Sequence, residues 1–86
     1  MEEFKGTPGP WKYTIRNVNE MMTTFHGVVM GDTYIEIATR NEREDAQLIS
    51  AAPELLEALQ LMISSQVLPI YHQTIAKAAI NKALGK

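Results

Sequence analysis

Residues 45–59 read DAQLISAAPELLEAL and carry large apolar side chains at three- and four-residue intervals. That spacing places Ile49 and Leu56 on one side of a helix, and it is not the alternation of a strand. Proline lacks an N–H and biases the residue before it away from helical angles. The sequence therefore predicts a helix that ends near Ala51 and a second helix with Pro53 in its first turn. One continuous helix, kinked at Pro53, is the alternative.

The residues on either side extend the helical prediction. Asn41 suits an N-cap, and Glu44 is placed to bond back to it in a capping box. The Ser-Ser-Gln run at 64–66 weakens the helix before Pro69, and a last helix is predicted from about Ile70 to Leu84. Gly85 then ends the chain's last helix as a C′ glycine.

The first forty residues have the patterns of strands and turns. A strand with one buried face is predicted from Trp11, a second from Met22 to Met30, and a third from Thr33 to Thr39. Asn17-Val18-Asn19 suits a turn, Gly27 a bulge or a close approach, and Gly31-Asp32 a type II′ hairpin turn. We predict an α+β fold, in which a small three-stranded antiparallel sheet is followed and covered by two or three helices. Residues 1–86 form a single domain, with the Pro/Gly lead and sheet in 1–40 and the helices in 41–86.

Composition limits the class of protein. The chain has 86 residues, no cysteine and a net charge of −2, which argues against a partner that is a nucleic acid polymer. Because so short a chain buries little core, its 45% hydrophobic content predicts self-association as a homo-oligomer, an ordinary monomer being the alternative. No apolar run approaches the ~20 residues that span a bilayer, and the start lacks a signal-peptide layout. The sequence predicts a cytosolic protein with no membrane partner.

Signals for catalysis are few. His26 and His72 are the only histidines, and no metalloprotease motif or glycine-rich phosphate loop is present. We predict no enzyme activity, no metal site and no cofactor. His26 is expected at the surface or rim, and His72 is expected to be exposed.

A candidate ligand site is predicted around the start of the first helix. Arg40 and Arg43 flank Asn41, and guanidinium groups beside free backbone N–H groups suit a phosphate. Gln47, one turn on, can read a sugar or base edge. Trp11 and Tyr13 can stack on a ligand or frame its pocket, and Tyr34 and Arg16 can add a stacking plane or positive charge. The alternative is that the arginines are solvated and balance nearby carboxylates, and that Trp11 is a core residue.

Three stretches resemble a family of short phage and prophage proteins: TPGPW at 7–11, APELLEAL at 52–59 and AINKALGK at 79–86. The chain departs from that pattern at Gly6, Asp45, Gln47 and Asn81, which stand where the family often has His, Asn, Arg and Ala. These proteins resemble viral sponge proteins, most closely the sponges of cyclic dinucleotides that counter CBASS defence. The resemblance implies a homo-oligomer that buries a cyclic dinucleotide between subunits without turnover. A phage inhibitor that blocks a host defence or regulatory enzyme through its surface is the alternative, and a structural accessory protein is a third possibility.

Overall fold

A computed structural model describes residues 3–86, and in that part of the chain three strands precede two helices. This confirms the predicted α+β fold. The elements are β1 (Trp11–Val18), β2 (Thr23–Met30), β3 (Thr33–Ile37), α1 (Glu42–Ser65) and α2 (Ile70–Ala83).

The strands form one antiparallel sheet in the order β1-β2-β3. Gly31 has a φ of +62°, and Asp32 has no positive φ, which is the combination of a type II′ turn and not of type I′. The turn predicted at residues 17–19 is wrong in its placement. Asn17 and Val18 extend β1 because they pair with Thr24 and Thr23, and the chain turns after Val18 instead. The predicted strand limits at Met22 and Thr39 are likewise too wide, since β2 begins at Thr23 and β3 ends at Ile37.

Gly27 lies near the centre of β2 and is paired on both sides, with Thr14 of β1 and Glu36 of β3. The register runs through it without a bulge, so the close-approach prediction is the one confirmed. A Cβ on Gly27 would lie 2.6 Å from the carbonyl oxygen of Ile35 and 2.7 Å from the ring of Tyr34. Only glycine fits between these atoms.

The chain forms two compact units, and α1 contributes to both. One unit comprises residues 7–53, with Val28 and Ala46 fully buried; the other comprises residues 54–86 and the described residues before Thr7. In the second unit Ala76 and Ile80 of α2 are the buried side chains. Within residues 3–86, neither helix is both long enough and apolar enough to cross a membrane.

The helix α1 runs through Pro53, so the predicted break there is wrong and the continuous helix is correct. Proline inside a helix removes one hydrogen bond and crowds the preceding turn, at a cost of about 3 kcal/mol. Here the proline ring packs on the Pro/Gly lead: a Cβ on Gly9 would lie 2.7 Å from the Cβ of Pro53. This contact, between residues distant in sequence, helps to offset the cost.

The helix ends follow local sequence signals. Gln66, directly after α1, has a φ of +56°, so the weak Ser-Ser-Gln run does end the helix. Gly85 follows α2 with a φ of +82°. Its N–H donates to Lys82 O at 3.2 Å, and the N–H of Lys86 donates to Asn81 O at 2.8 Å. These two bonds form a Schellman motif and confirm the predicted C′ glycine.

Candidate functional site

The start of α1 brings together four of the six residues predicted to bind a ligand. The N–H of Asp45 donates to the carbonyl of Asn41 at 2.9 Å, which makes Asn41 the N-cap. Arg40 precedes it, and Arg43 and Gln47 lie one turn apart on α1; all four side chains are exposed. The first N–H groups of a helix have no partner within it and carry a partial positive charge. The arrangement can therefore accept an anion.

Carboxylates compete for the same positive charge. Glu42, Glu44 and Asp45 occupy the first turn of α1, so residues 40–45 carry two arginines against three acids. Asp45 is partly engaged, because its carboxylate accepts a hydrogen bond from the hydroxyl of Thr39. Binding of an anion at the start of α1 therefore depends on both arginines and on any positive charge that a second chain supplies.

An open groove of about 390 Å³ adjoins this helix start. Its walls are mainly apolar, and its two carboxylates are Glu36 and Asp45. The volume lies within the range of small-molecule sites. The remaining lining residues are Ile37, Ala38, Thr39, Leu48 and Ile49.

Trp11 and Tyr13 share a face of the sheet but lie away from the start of α1. Trp11 pairs with Met30 at the hairpin end of the sheet, whereas α1 follows the opposite end of β3. Four residues of strand, or about 13 Å, separate Trp11 from the level of Ile15 and Ile37. The indole N–H of Trp11 donates to the carbonyl of Thr7 at 3.1 Å, and the half-buried ring thereby anchors the lead.

The side chain of Tyr13 is hydrogen-bonded to that of His26. The expectation that His26 lies at the surface or rim is wrong. His26 exposes only 6% of its surface. The Tyr13 hydroxyl and His26 Nδ1 share a hydrogen bond of 2.7 Å, and the two rings stack with centroids 6.0 Å apart. The register explains this, because His26 is the diagonal neighbour of Tyr13 across the strands. His72 is exposed, as predicted.

Replacing Tyr13 by Phe tests this bond. We expect Tyr13→Phe to lower the free energy of unfolding by about 1–3 kcal/mol, because it leaves Nδ1 of a buried imidazole without its partner. Urea denaturation measures the change. Tyr34→Phe is the matched control, since the Tyr34 side chain is 39% exposed. Equal effects of the two substitutions would show that the Tyr13–His26 bond adds nothing to stability.

A cluster on the other face of the sheet was only partly predicted. The guanidinium of Arg16 lies 5.3 Å from the centroid of the Phe25 ring and 5.6 Å from that of Tyr34. It also forms an ion pair with Glu36 at 3.6 Å. The sequence predicts Arg16 and Tyr34 as candidate residues, but it does not predict Phe25. The signal that would have found Phe25 is the strand register, which places it directly opposite Arg16.

Comparison with known proteins gives one family. Neither the curated proteins nor the solved structures give a match to this chain. A model of a phage protein family, described as Salmonella phage P22 protein Y8K6, matches residues 1–86. Because that match spans the whole sequence, the chain belongs to the Salmonella phage P22 protein Y8K6 family.

Proposed function

We propose that this phage-family protein is a nucleotide sponge, which binds and withholds a cyclic dinucleotide immune signal in the host cytosol without turnover. The observation that carries the proposal is the pairing of an anion-accepting helix start with an adjoining groove. Arg40, Asn41 and Arg43 supply charge and hydrogen bonds for phosphate. Gln47 supplies an amide for a sugar or base edge.

The groove suits one half of such a ligand. Ile37, Leu48 and Ile49 offer apolar contacts for a base, and the volume of about 390 Å³ is at the small end for a ligand site. A cyclic dinucleotide carries two bases and two phosphates. A site of this size therefore fits the ligand best when a second copy of the chain supplies the other half.

Exposed apolar side chains support assembly into a homo-oligomer. Leu61, Val67, Ile70 and Tyr71 each leave more than 60% of their surface exposed. Val67, Ile70 and Tyr71 are also close together in sequence, and grouped exposed apolar residues are typical of interaction sites. The same residues favour the second candidate function, a phage protein that inhibits a host defence or regulatory enzyme by docking on its surface.

The side chains support a protein that binds a nucleotide and does not convert it into a product. His26, the obvious proton-transfer group of the sheet, is buried and bonded to Tyr13. The side chains proposed to contact the phosphate, Arg40, Asn41 and Arg43, are guanidinium and amide groups, which hold a phosphate and do not attack it.

A thermal-shift screen tests the sponge proposal. With ligand at a hundred times its Kd, binding adds about 2.7 kcal/mol, so we expect one cyclic dinucleotide to raise Tm by about 10 °C or more. Linear dinucleotides, cyclic trinucleotides and ADP-ribose isomers serve as comparators. The bound nucleotide should be recovered unchanged after heat denaturation.

Two outcomes would contradict the sponge. A nucleotide recovered in altered form would indicate an enzyme. A folded protein whose Tm is unmoved by every nucleotide would leave the inhibitor as the better candidate, to be tested against host defence enzymes.

A further inference from the structure

The outer edge of β3 is an open hydrogen-bonding surface. The strand order leaves β1 and β3 as the two edges of the sheet. Edge strands that stay single usually carry lysine, proline or a bulge, which hinder pairing with another chain. β1 carries Lys12 and Arg16, whereas β3 reads TYIEI and has none of these devices. Of the two edge strands, β3 is therefore the one that can pair more readily with a strand of another chain.

The hairpin turn fixes which groups of β3 point outward. A two-residue turn makes Met30 and Thr33 a hydrogen-bonded pair, and such pairs alternate along an antiparallel ladder. The N–H and C=O groups of Thr33, Ile35 and Ile37 therefore point toward β2. Those of Tyr34 and Glu36 point away from the sheet and form a row of four groups along the free edge.

We infer that β3 pairs in antiparallel register with β3 of a second copy, around a twofold axis at Ile35. In this register Tyr34 is opposite the partner's Glu36, and Glu36 is opposite the partner's Tyr34. Both are hydrogen-bonded pairs, so all four outward groups find partners. Ile35 meets the partner's Ile35 as a close, non-hydrogen-bonded pair. The two sheets join into one of six strands.

The side chains select this register over its neighbours. Ile35 is 40% exposed and Tyr34 is 39% exposed, so pairing covers apolar surface that water now reaches. An axis at Glu36 would set two carboxylates face to face, and an axis at either Tyr34 or Glu36 would use only one hydrogen-bonded pair. The same symmetry on β1, centred at Thr14, would oppose Lys12 to the partner's Arg16. Like charges directly opposite destabilise a strand pair.

Charge and shape beyond the strand also fit a second copy. Continuing the register sets the partner's Asp32 opposite Ala38, two residues before the positive charge of Arg40. The groove beside α1 is lined by the end of β3, by Ala38 and Thr39 after it and by α1, and by no residue of β2, so it lies at the end of β3 that this register brings beside the partner's turn. The partner's hairpin turn then borders this groove. This strand pairing rests on the proposed function in that it specifies one contact of the proposed homo-oligomer, and it does not require a bound nucleotide.

Single cysteines test the register directly. The chain has no cysteine of its own, so Ile35→Cys introduces a single reactive thiol. A non-hydrogen-bonded pair has Cα atoms about 4.5 Å apart, within the range for a disulfide. We expect oxidised Ile35→Cys to run as a covalent dimer on a non-reducing gel. Ile15→Cys is the matched control, because Ile15 is 48% exposed on the same sheet face of the other edge strand, and it should stay uncrosslinked.

Sedimentation without nucleotide tests the energetics. Ile35→Lys sets two ammonium groups against each other and should raise the dissociation constant of this contact by about tenfold or more, whereas Ile15→Lys should not. A wild-type protein that is monomeric at every soluble concentration overturns the inference. So does crosslinking that is equal in the two cysteine variants. A monomer that still binds a cyclic dinucleotide would refute the β3 contact alone, and a β3-linked dimer that no nucleotide stabilises would refute the sponge alone.

Discussion

Gly27→Ala is expected to lower the free energy of unfolding by about 3 kcal/mol, which is a large share of the stability of a chain this short. The new methyl group would lie 2.6 Å from the carbonyl oxygen of Ile35, which is backbone held in the sheet, and 2.7 Å from the Tyr34 ring. The half-exposed ring can swing aside, but the carbonyl moves only if β3 separates from β2. Tm should fall by about 12 °C or more. Calorimetry or urea denaturation measures the loss.

Gly31→Asn is the matched control for this substitution. Gly31 has a φ of +62°, which asparagine tolerates, and an added Cβ would meet only the Thr7 methyl at 3.6 Å. Asparagine at this φ is still strained relative to glycine, so we expect a cost of about 1–2 kcal/mol, below that of Gly27→Ala. If Gly27→Ala proved as mild as Gly31→Asn, the two strands would not be in tight contact at Gly27.

Arg40→Ala combined with Arg43→Ala is expected to weaken cyclic dinucleotide binding by about 100-fold or more. Each arginine offers a phosphate a charge-assisted hydrogen bond worth about 1.5–3 kcal/mol, and about 1.4 kcal/mol is tenfold in Kd. The loss should be severe because Glu42, Glu44 and Asp45 remain and then dominate the local charge. Titration calorimetry gives Kd for both proteins.

The control removes the same charge elsewhere. Lys77→Ala combined with Lys82→Ala takes two exposed positive charges from α2, so it reproduces the change in net charge without touching the start of α1. Its Kd should match that of the wild type within about twofold, since exposed charges that offer the phosphate no hydrogen bond are largely screened. Unaltered binding by the folded arginine variant would remove Arg40 and Arg43 from the site.

Features that depend on neighbouring residues could be predicted from the sequence. The hairpin at Gly31-Asp32 and the helix end at Gly85 need particular backbone angles at particular residues, and both are confirmed. The cluster of Arg40, Asn41, Arg43 and Gln47 belongs with these, because residues within two helical turns are close in any helix. That the cluster binds a ligand stays a prediction.

Features that depend on distant residues could not be predicted. Pro53 lies inside a helix and its ring contacts Gly9, a residue far away in sequence whose proximity no local pattern indicates. His26 is buried because the register of β1 on β2 sets it diagonal to Tyr13. The same register sets Trp11 at the opposite end of the sheet from the start of α1, so the six predicted residues do not form one cluster within the chain. Binary patterning gives the faces of strands, but not which residues meet across them.

The Arg16 cluster decides how the outer face of the sheet meets water. Without Arg16, the rings of Phe25 and Tyr34, on adjacent strands, would form a flat apolar surface on which another sheet could stack. The Arg16 guanidinium makes cation–π contacts with both rings and an ion pair with Glu36. The pair hydrates this face of the sheet, and its two charges cancel. One side chain thus discourages stacking of sheets through this face. Association between molecules is left to strand edges and helices, where direction and register can be specified.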